Sequence, residues 1–145
     1  ETPDVETFQG SILNGSIRPD SAILCVSAGT GEGINENADQ TAQYISVARE
    51  LGIPELAVVI TKMDMVRWSV ERANELMAGA RNIVRHTEPT HYDPRSVACL
   101  PVSGETGDNL FEESPNMSWW GGWSRRCPDG SDIRGKALLD VIDAF

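Results

Sequence analysis

Three short runs along the chain are apolar without alternation: AILCVSA from Ala22 to Ala28, LAVVIT from Leu56 to Thr61, and VACLPVS from Val97 to Ser103. Continuous apolarity of this kind is what a strand covered on both faces of a parallel sheet produces. Between the runs the spacing turns helical. Ala42, Ile45, Ala48 and Leu51 share one stripe of a helix predicted over Ala38 to Leu51, and Val70, Ala73, Leu76, Ala80 and Ile83 share one over Ser69 to His86. Gly52 closes the first of these helices and Pro54 opens the connection to the next strand. An opening helix is predicted over Glu6 to Ile17, with Phe8, Ile12 and Leu13, and a closing one over Gly135 to Phe145, with Leu138, Leu139, Val141 and Ile142. The order αβαβαβα predicts a doubly wound α/β sheet with right-handed crossovers.

In such sheets ligands bind outside the carboxyl ends of the strands. That directs attention to SAGTGE after the first strand, TKMD after the second and SGETGDN after the third, all on one edge. Each is weak alone. Turn geometry explains Gly29, Gly31 and Gly33, and a polar turn after a buried strand explains Lys62 and Asp64. Together they suit a guanine base. A carboxylate accepts both hydrogen bonds from the N1 and N2 edge of guanine, a charge-assisted pair that adenine cannot supply. A lysine stem can lie across the ring, and a small Ser-Gly turn lets a backbone N–H approach the base oxygen.

Composition narrows the partners. The chain has 145 residues, with twelve Lys and Arg against twenty-two Asp and Glu, for a formal charge of −10. One domain with its own core is expected, and such a surface repels a phosphate backbone except at a local basic patch. Cys25, Cys99 and Cys127 have no metal spacing. Cys25 and Cys99 lie in apolar runs and are expected as small buried thiols of a protein in a reducing cytosol. No apolar run approaches the ~20 residues of a membrane span and no leader pattern opens the sequence, so a soluble protein is expected. The chain starts at Glu1, which leaves processing or a fragment of a longer protein open.

Other conspicuous residues have plainer readings beside the sharp ones. Trp119, Trp120 and Trp123 resemble a base-stacking platform, but anchoring a long segment against the final helix is the preferred role. Arg125 and Arg126 are the best local basic contact. His86 and His91 read as surface or helix-end residues, and Glu32, Glu36 and Asp39 as helix-dipole partners rather than a metal site. Asp108 with Asn109 reads as a turn.

Laid along the chain, PDSAILCVSAGTGE, LGIPELAVVITKMD, ACLPVSGETGDNL and NMSWWGGW resemble the second part of the guanine-nucleotide domain of the eukaryotic-type elongation factor 1-alpha family. The resemblance covers essentially all 145 residues and includes that family's long segment, here an insert over residues 106–134. Release and ribosome-rescue factors share the domain plan. The resemblance implies a partial translational GTPase domain over residues 1–145. Its fold would be a three-layer α/β/α sheet like that of P-loop NTPases, lacking the first strand and phosphate loop. It also implies a cytoplasmic protein whose family binds GTP or GDP with Mg2+ and works with aminoacyl-tRNA, the ribosome and an exchange factor, away from membranes.

Residue by residue, the family's Asn-Lys-x-Asp guanine motif falls on Thr61, Lys62, Met63 and Asp64, and its Ser-Gly-Trp base loop on Ser103, Gly104 and Glu105. Thr61 replaces an amide that would tie the base loop to the phosphate loop, as in Rho-like GTPases. Glu105 replaces a flat aromatic with a negative charge, so weaker affinity is expected. The family's Asp-Ala-Pro-Gly-His stretch falls on Glu1 to Val5. Glu1 can still reach a magnesium-bound water. Asp4 brings charge and a Cβ where a glycine N–H would meet the terminal phosphate. Val5 can neither exchange a proton nor orient water. No G-x-x-x-x-G-K-[ST] occurs in these residues. Hydrolysis by this chain alone is therefore not expected, and a non-hydrolysing scaffold derived from the family is the alternative. The AILCVSA strand is expected to present an open edge through which chains associate.

Overall fold

The computed structural model describes residues 19–29, 38–87 and 92–145. Strands β1 (Ser21–Ser27), β2 (Glu55–Thr61) and β3 (Ala98–Pro101) form one parallel sheet in the order β1-β2-β3. Helix α1 (Ala38–Glu50) links β1 to β2, and a short 3₁₀ turn (Met63–Val66) followed by α2 (Val70–His86) leads from β2 to β3. The predicted opening helix over Glu6 to Ile17 lies outside the described residues.

The register follows from hydrophobicity. Every residue from Leu56 to Ile60 in β2 is buried, as a central strand covered on both faces requires. Ala22, Leu24 and Val26 of β1 pack on the core, while Ile23 remains 39% exposed. The expectation of a buried thiol holds for Cys99, whose burial pushes its pKa up to about 11. It fails for Cys25, which is exposed on the same side of β1 as the 39% exposed Ile23.

Helix α2 begins where Ser69 accepts the N–H of Arg72 at 3.2 Å, and it buries Ala73, Leu76, Met77, Ala80 and Val84. Helix α1 ends at Gly52, whose φ of +78° lets its N–H reach Arg49 and lets Ile53 reach Ala48. Beyond β3, the predicted closing helix is shorter than its apolar spacing suggests. Gly135, expected at its start, instead ends β5 (Asp132–Gly135), antiparallel to β4 (Trp123–Arg126), and α3 spans only Leu138–Asp143. The Asp140 carboxylate accepts the N–H groups of Lys136 and Ala137 at 2.8 and 2.9 Å and so sets where the helix starts.

The tryptophans take the anchoring role. Trp120 and Trp123 are buried, and their indole N–H groups donate to the carbonyls of Lys136 and Ala137, immediately before α3. Trp119 donates to the carbonyl of Trp68. Met117, Trp120, Trp123 and Val141 join the same core as the sheet. Arg125 is not a basic contact. Arg125 is 5% exposed, paired with Glu55 and the carbonyl of Ala144, and lies over the Phe145 ring; Arg126 is paired with Asp132.

Candidate nucleotide-base site

The parallel register brings the three strand ends together. The Ala28 N–H donates to the Thr61 carbonyl at 2.8 Å, and the Met63 N–H donates to the Val102 carbonyl at 3.2 Å. Val102 in turn donates to Ile60 at 2.8 Å, so the chain stays strand-like past β3, close to the run that hydropathy marks. The edge holds Ala28 and Gly29, then Thr61 to Asp64, then Ser103 to Glu105. Gly31 and Gly33 fall outside the described residues, as do Glu1, Asp4 and Val5.

The predicted motif residues have distinct placements. Thr61 donates its hydroxyl to the Val26 carbonyl at 3.2 Å, fastening β2 to β1. Lys62 is exposed and left-handed, with φ 60° and ψ 36°, which turns the chain sharply out of β2. Met63 is wholly buried, so its side chain belongs to the core and only its backbone faces this corner. Asp64 is half-buried and its Oδ1 accepts the Ser103 hydroxyl at 2.6 Å. No described residue donates to its Oδ2. Ser103 is itself fully buried, its Oγ accepting the Thr106 N–H at 3.3 Å and its N–H donating to the Asp108 carbonyl at 3.1 Å. Gly104 and Glu105 are exposed at the mouth, and a Cβ added at Gly104 would meet nothing within 4 Å.

The arrangement offers a carboxylate with one oxygen steadied and one open to a ligand, an exposed cationic side chain beside it, and an accessible peptide turn opposite. That set can receive a planar ligand presenting two adjacent N–H donors next to a carbonyl.

Two further residues shape this corner. Arg72, one turn into α2, donates Nε to the Ala28 carbonyl at 3.2 Å and Nη2 to the Gly29 carbonyl at 3.5 Å, tying α2 to the loop after β1. No sequence spacing signals that contact, which depends on how α2 lies across the sheet. Asp108 and Asn109 form a turn, as expected, but both are buried. Asn109 donates Nδ2 to the Pro101 carbonyl at 3.0 Å and accepts the Ser114 N–H at 2.8 Å. Asp108 collects four donors. Burial raises its pKa, but the bonds from Ser114, Thr106, Trp68 and Asn116 outweigh burial and hold the carboxyl below the ordinary range. The signal in the sequence is the density of donors around one acid, Thr106, Ser114 and Asn116 within a few residues of Asp108.

Comparison with known proteins gives the family and the fold. The model of the elongation factor Tu GTP binding domain matches residues 1–145. The chain is 37% identical over 148 residues to elongation factor 1-alpha of Yarrowia lipolytica (strain CLIB 122 / E 150), covering 100% of this chain and 31% of that protein. It is 37% identical over 148 residues to the elongation factor 1-alpha of Absidia glauca, with the same coverage. Among solved structures it is similar to Sup35 complexed with GDP, at a TM-score of 0.67 and 30% identity over 90% of this chain and 30% of that one. Sup35 complexed with GMPPNP gives a TM-score of 0.62 at 30% identity. The chain thus spans about a third of its relatives' length. With the whole of its 145 residues matched, the chain belongs to the elongation factor Tu GTP-binding domain family.

Proposed function

We propose that these residues form the guanine-recognising part of an elongation factor 1-alpha-like GTP-binding domain. The support is the 2.6 Å hydrogen bond from Ser103 to Asp64, which joins the two segments expected to flank a base and leaves Oδ2 open. In this reading Asp64 takes the N1 and N2 hydrogens of guanine, the Lys62 stem covers one face, and a peptide N–H of the Ser103–Gly104–Glu105 turn meets O6. Thr61 and Met63 position the turn through β1 and the core. Glu105 places a negative charge at the mouth and weakens binding. GTP or GDP is the nucleotide class, and delivery of aminoacyl-tRNA to the ribosome, with an exchange factor and in the cytoplasm, is the setting proposed from the relatives. Among the described residues no helix is long and apolar enough to cross a membrane.

The same reading makes the chain by itself non-hydrolysing. Asp4 and Val5 stand where the family resemblance places glycine and histidine, which removes an N–H to the terminal phosphate and a group able to orient water. Glu1 is the carboxylate proposed nearest to magnesium, and like Asp4 and Val5 it lies outside the described residues. These 145 residues contain no phosphate-loop motif, so the part of nucleotide binding they supply is base recognition.

Titration of the 145-residue chain with guanosine, inosine and adenosine, followed by amide chemical shifts, tests this. Guanosine is expected to bind best, inosine more weakly for want of the N2 donor, and adenosine least. Asp64→Asn, which exchanges one acceptor for a donor, is expected to move the preference toward xanthosine. GTP and guanosine are expected to compete almost equally, and phosphate release from GTP should not exceed a protein-free control. Equal binding of adenosine and guanosine, with shifts away from Asp64, would refute the base assignment. GTP turnover abolished by Asp64→Ala would refute the non-hydrolysing one.

We also propose that the free side of β1 accepts a further strand. Among the described residues β1 is paired only with β2, which leaves its other edge without a partner strand there, and Ile23, 39% exposed, adds apolar surface to this strand.

A further inference from the structure

Among the described residues, four non-glycine residues have positive φ, and all four surround the base corner: Lys62 at 60°, Arg67 at 52°, Trp68 at 52° and Asn109 at 56°. A left-handed tryptophan is a costly conformation that persists only where its surroundings over-determine it. What holds it is visible. Trp68 donates its backbone N–H to Met63 at 2.8 Å, accepts the Trp119 indole on its carbonyl at 3.1 Å, and donates its own indole N–H to Asp108 Oδ2 at 2.7 Å.

Asp108 is where the segments meet. Its Oδ2 also accepts the Thr106 hydroxyl, and its Oδ1 accepts the Ser114 hydroxyl and, at 3.0 Å, Asn116 Nδ2. Two donors on each oxygen use the full acceptor capacity of a carboxylate. Its backbone carbonyl takes the Ser103 N–H. Thr106 is thereby gripped at both ends: its hydroxyl by Asp108, its N–H by the same Ser103 oxygen that donates to Asp64.

We propose that Asp108 is a positioning residue for base recognition, bracing the Ser103–Gly107 turn and the Trp68 corner so that Ser103 holds the Asp64 carboxylate in one orientation. The proposal rests on the guanine reading of Asp64. It assigns the segment after the base loop a part in nucleotide selectivity: Ser114 and Asn116 act on the base only through Asp108. An amide in place of the carboxylate loses acceptor capacity and faces several donors with an N–H₂ group. The turn loosens, Ser103 rotates, and Asp64 is freed from its fixed aim.

The experiment compares wild type, Asp108→Asn, Thr106→Val and Thr106→Ser by amide hydrogen exchange and by the ratio of guanosine to adenosine affinity. Thr106 is exposed, so its variants keep the test alive if Asp108→Asn does not fold. Positioning predicts that Asp108→Asn and Thr106→Val each lower the ratio about tenfold, the worth of roughly one charged hydrogen bond. Exchange at Ser103 and Thr106 should quicken while β2 amides stay protected, and Thr106→Ser should behave as wild type. A role in stability alone would lower the melting temperature and leave both the ratio and the local exchange of the folded protein unchanged, overturning the proposal. If wild type binds no guanosine, the base assignment fails separately, and unchanged exchange at Ser103 and Thr106 in both loss variants would then sink the brace as well.

Discussion

Gly135→Ala probes how tightly the β4–β5 hairpin is locked against α3. A Cβ built at Gly135 would lie 2.5 Å from Asp140 Cβ, and 2.6 and 2.9 Å from two ring atoms of Trp123. Neither neighbour can yield cheaply. Asp140 Cβ is fixed by a carboxylate that accepts two backbone N–H groups at the start of α3, and the Trp123 ring is 3% exposed and donates to Ala137 at 3.1 Å. Overpacking of this kind costs about 1–3 kcal/mol. Glycine to alanine also restricts the unfolded chain, which offsets about 0.4–1 kcal/mol. The net expectation is a loss of about 1–2 kcal/mol. In a chain of this size that corresponds to a fall of roughly 3–8 °C in Tm. Urea and thermal unfolding followed by tryptophan emission would measure it. Gly121→Ala is the control, since a Cβ there meets nothing within 4 Å and its φ is not positive; it is expected to be neutral or slightly stabilising. If Gly135→Ala matched Gly121→Ala, the hairpin would not be packed on α3 as described.

Three other outcomes are expected. Ile23→Lys should reduce concentration-dependent association in sedimentation at little cost to stability, because Ile23 is already 39% exposed; a wild-type chain monomeric at all concentrations would refute the open β1 edge. Glu105→Trp should tighten guanosine binding severalfold by replacing an exposed charge with a stacking surface, a gain of about 1 kcal/mol, and no change in titration would show that the base does not reach this turn. The folded-state pKa of Asp108 is depressed, so the stability it contributes is present above the unfolded value of ~4 and is lost as pH falls through the folded value. The gap in urea midpoint between wild type and Asp108→Asn should therefore narrow as pH drops below about 4, and a gap constant down to pH ~2 would contradict it.

Local pattern determined the three strands of the parallel sheet, the two long helices and the edge on which the candidate site lies. Leu56 to Ile60 could only be a covered central strand, the stripe from Ala73 to Ala80 could only bury one helical face, and parallel strands must open their ligand edge at the carboxyl ends. That the segments Thr61–Asp64 and Ser103–Glu105 lie side by side was legible for the same reason: they stand at or just beyond the ends of β2 and β3, which the hydropathy marks. Other features depended on contacts distant in sequence. Apolar spacing from Gly135 onward reads as helix, yet β4 draws residues 132–135 into a hairpin and Asp140 delays the start of α3. Arg125 looks like part of a basic patch until the fold buries it against Glu55. Cys25 looks buried until the fold leaves it, with Ile23, on an exposed side of β1. Asp108 has three donors close by in sequence, but the fourth, Trp68, is brought to it by the fold, and local periodicity holds no record of a partner forty positions away. A hydrogen bond across such a separation exists only once the chain has closed, so tertiary structure alone decided how Asp64 is held.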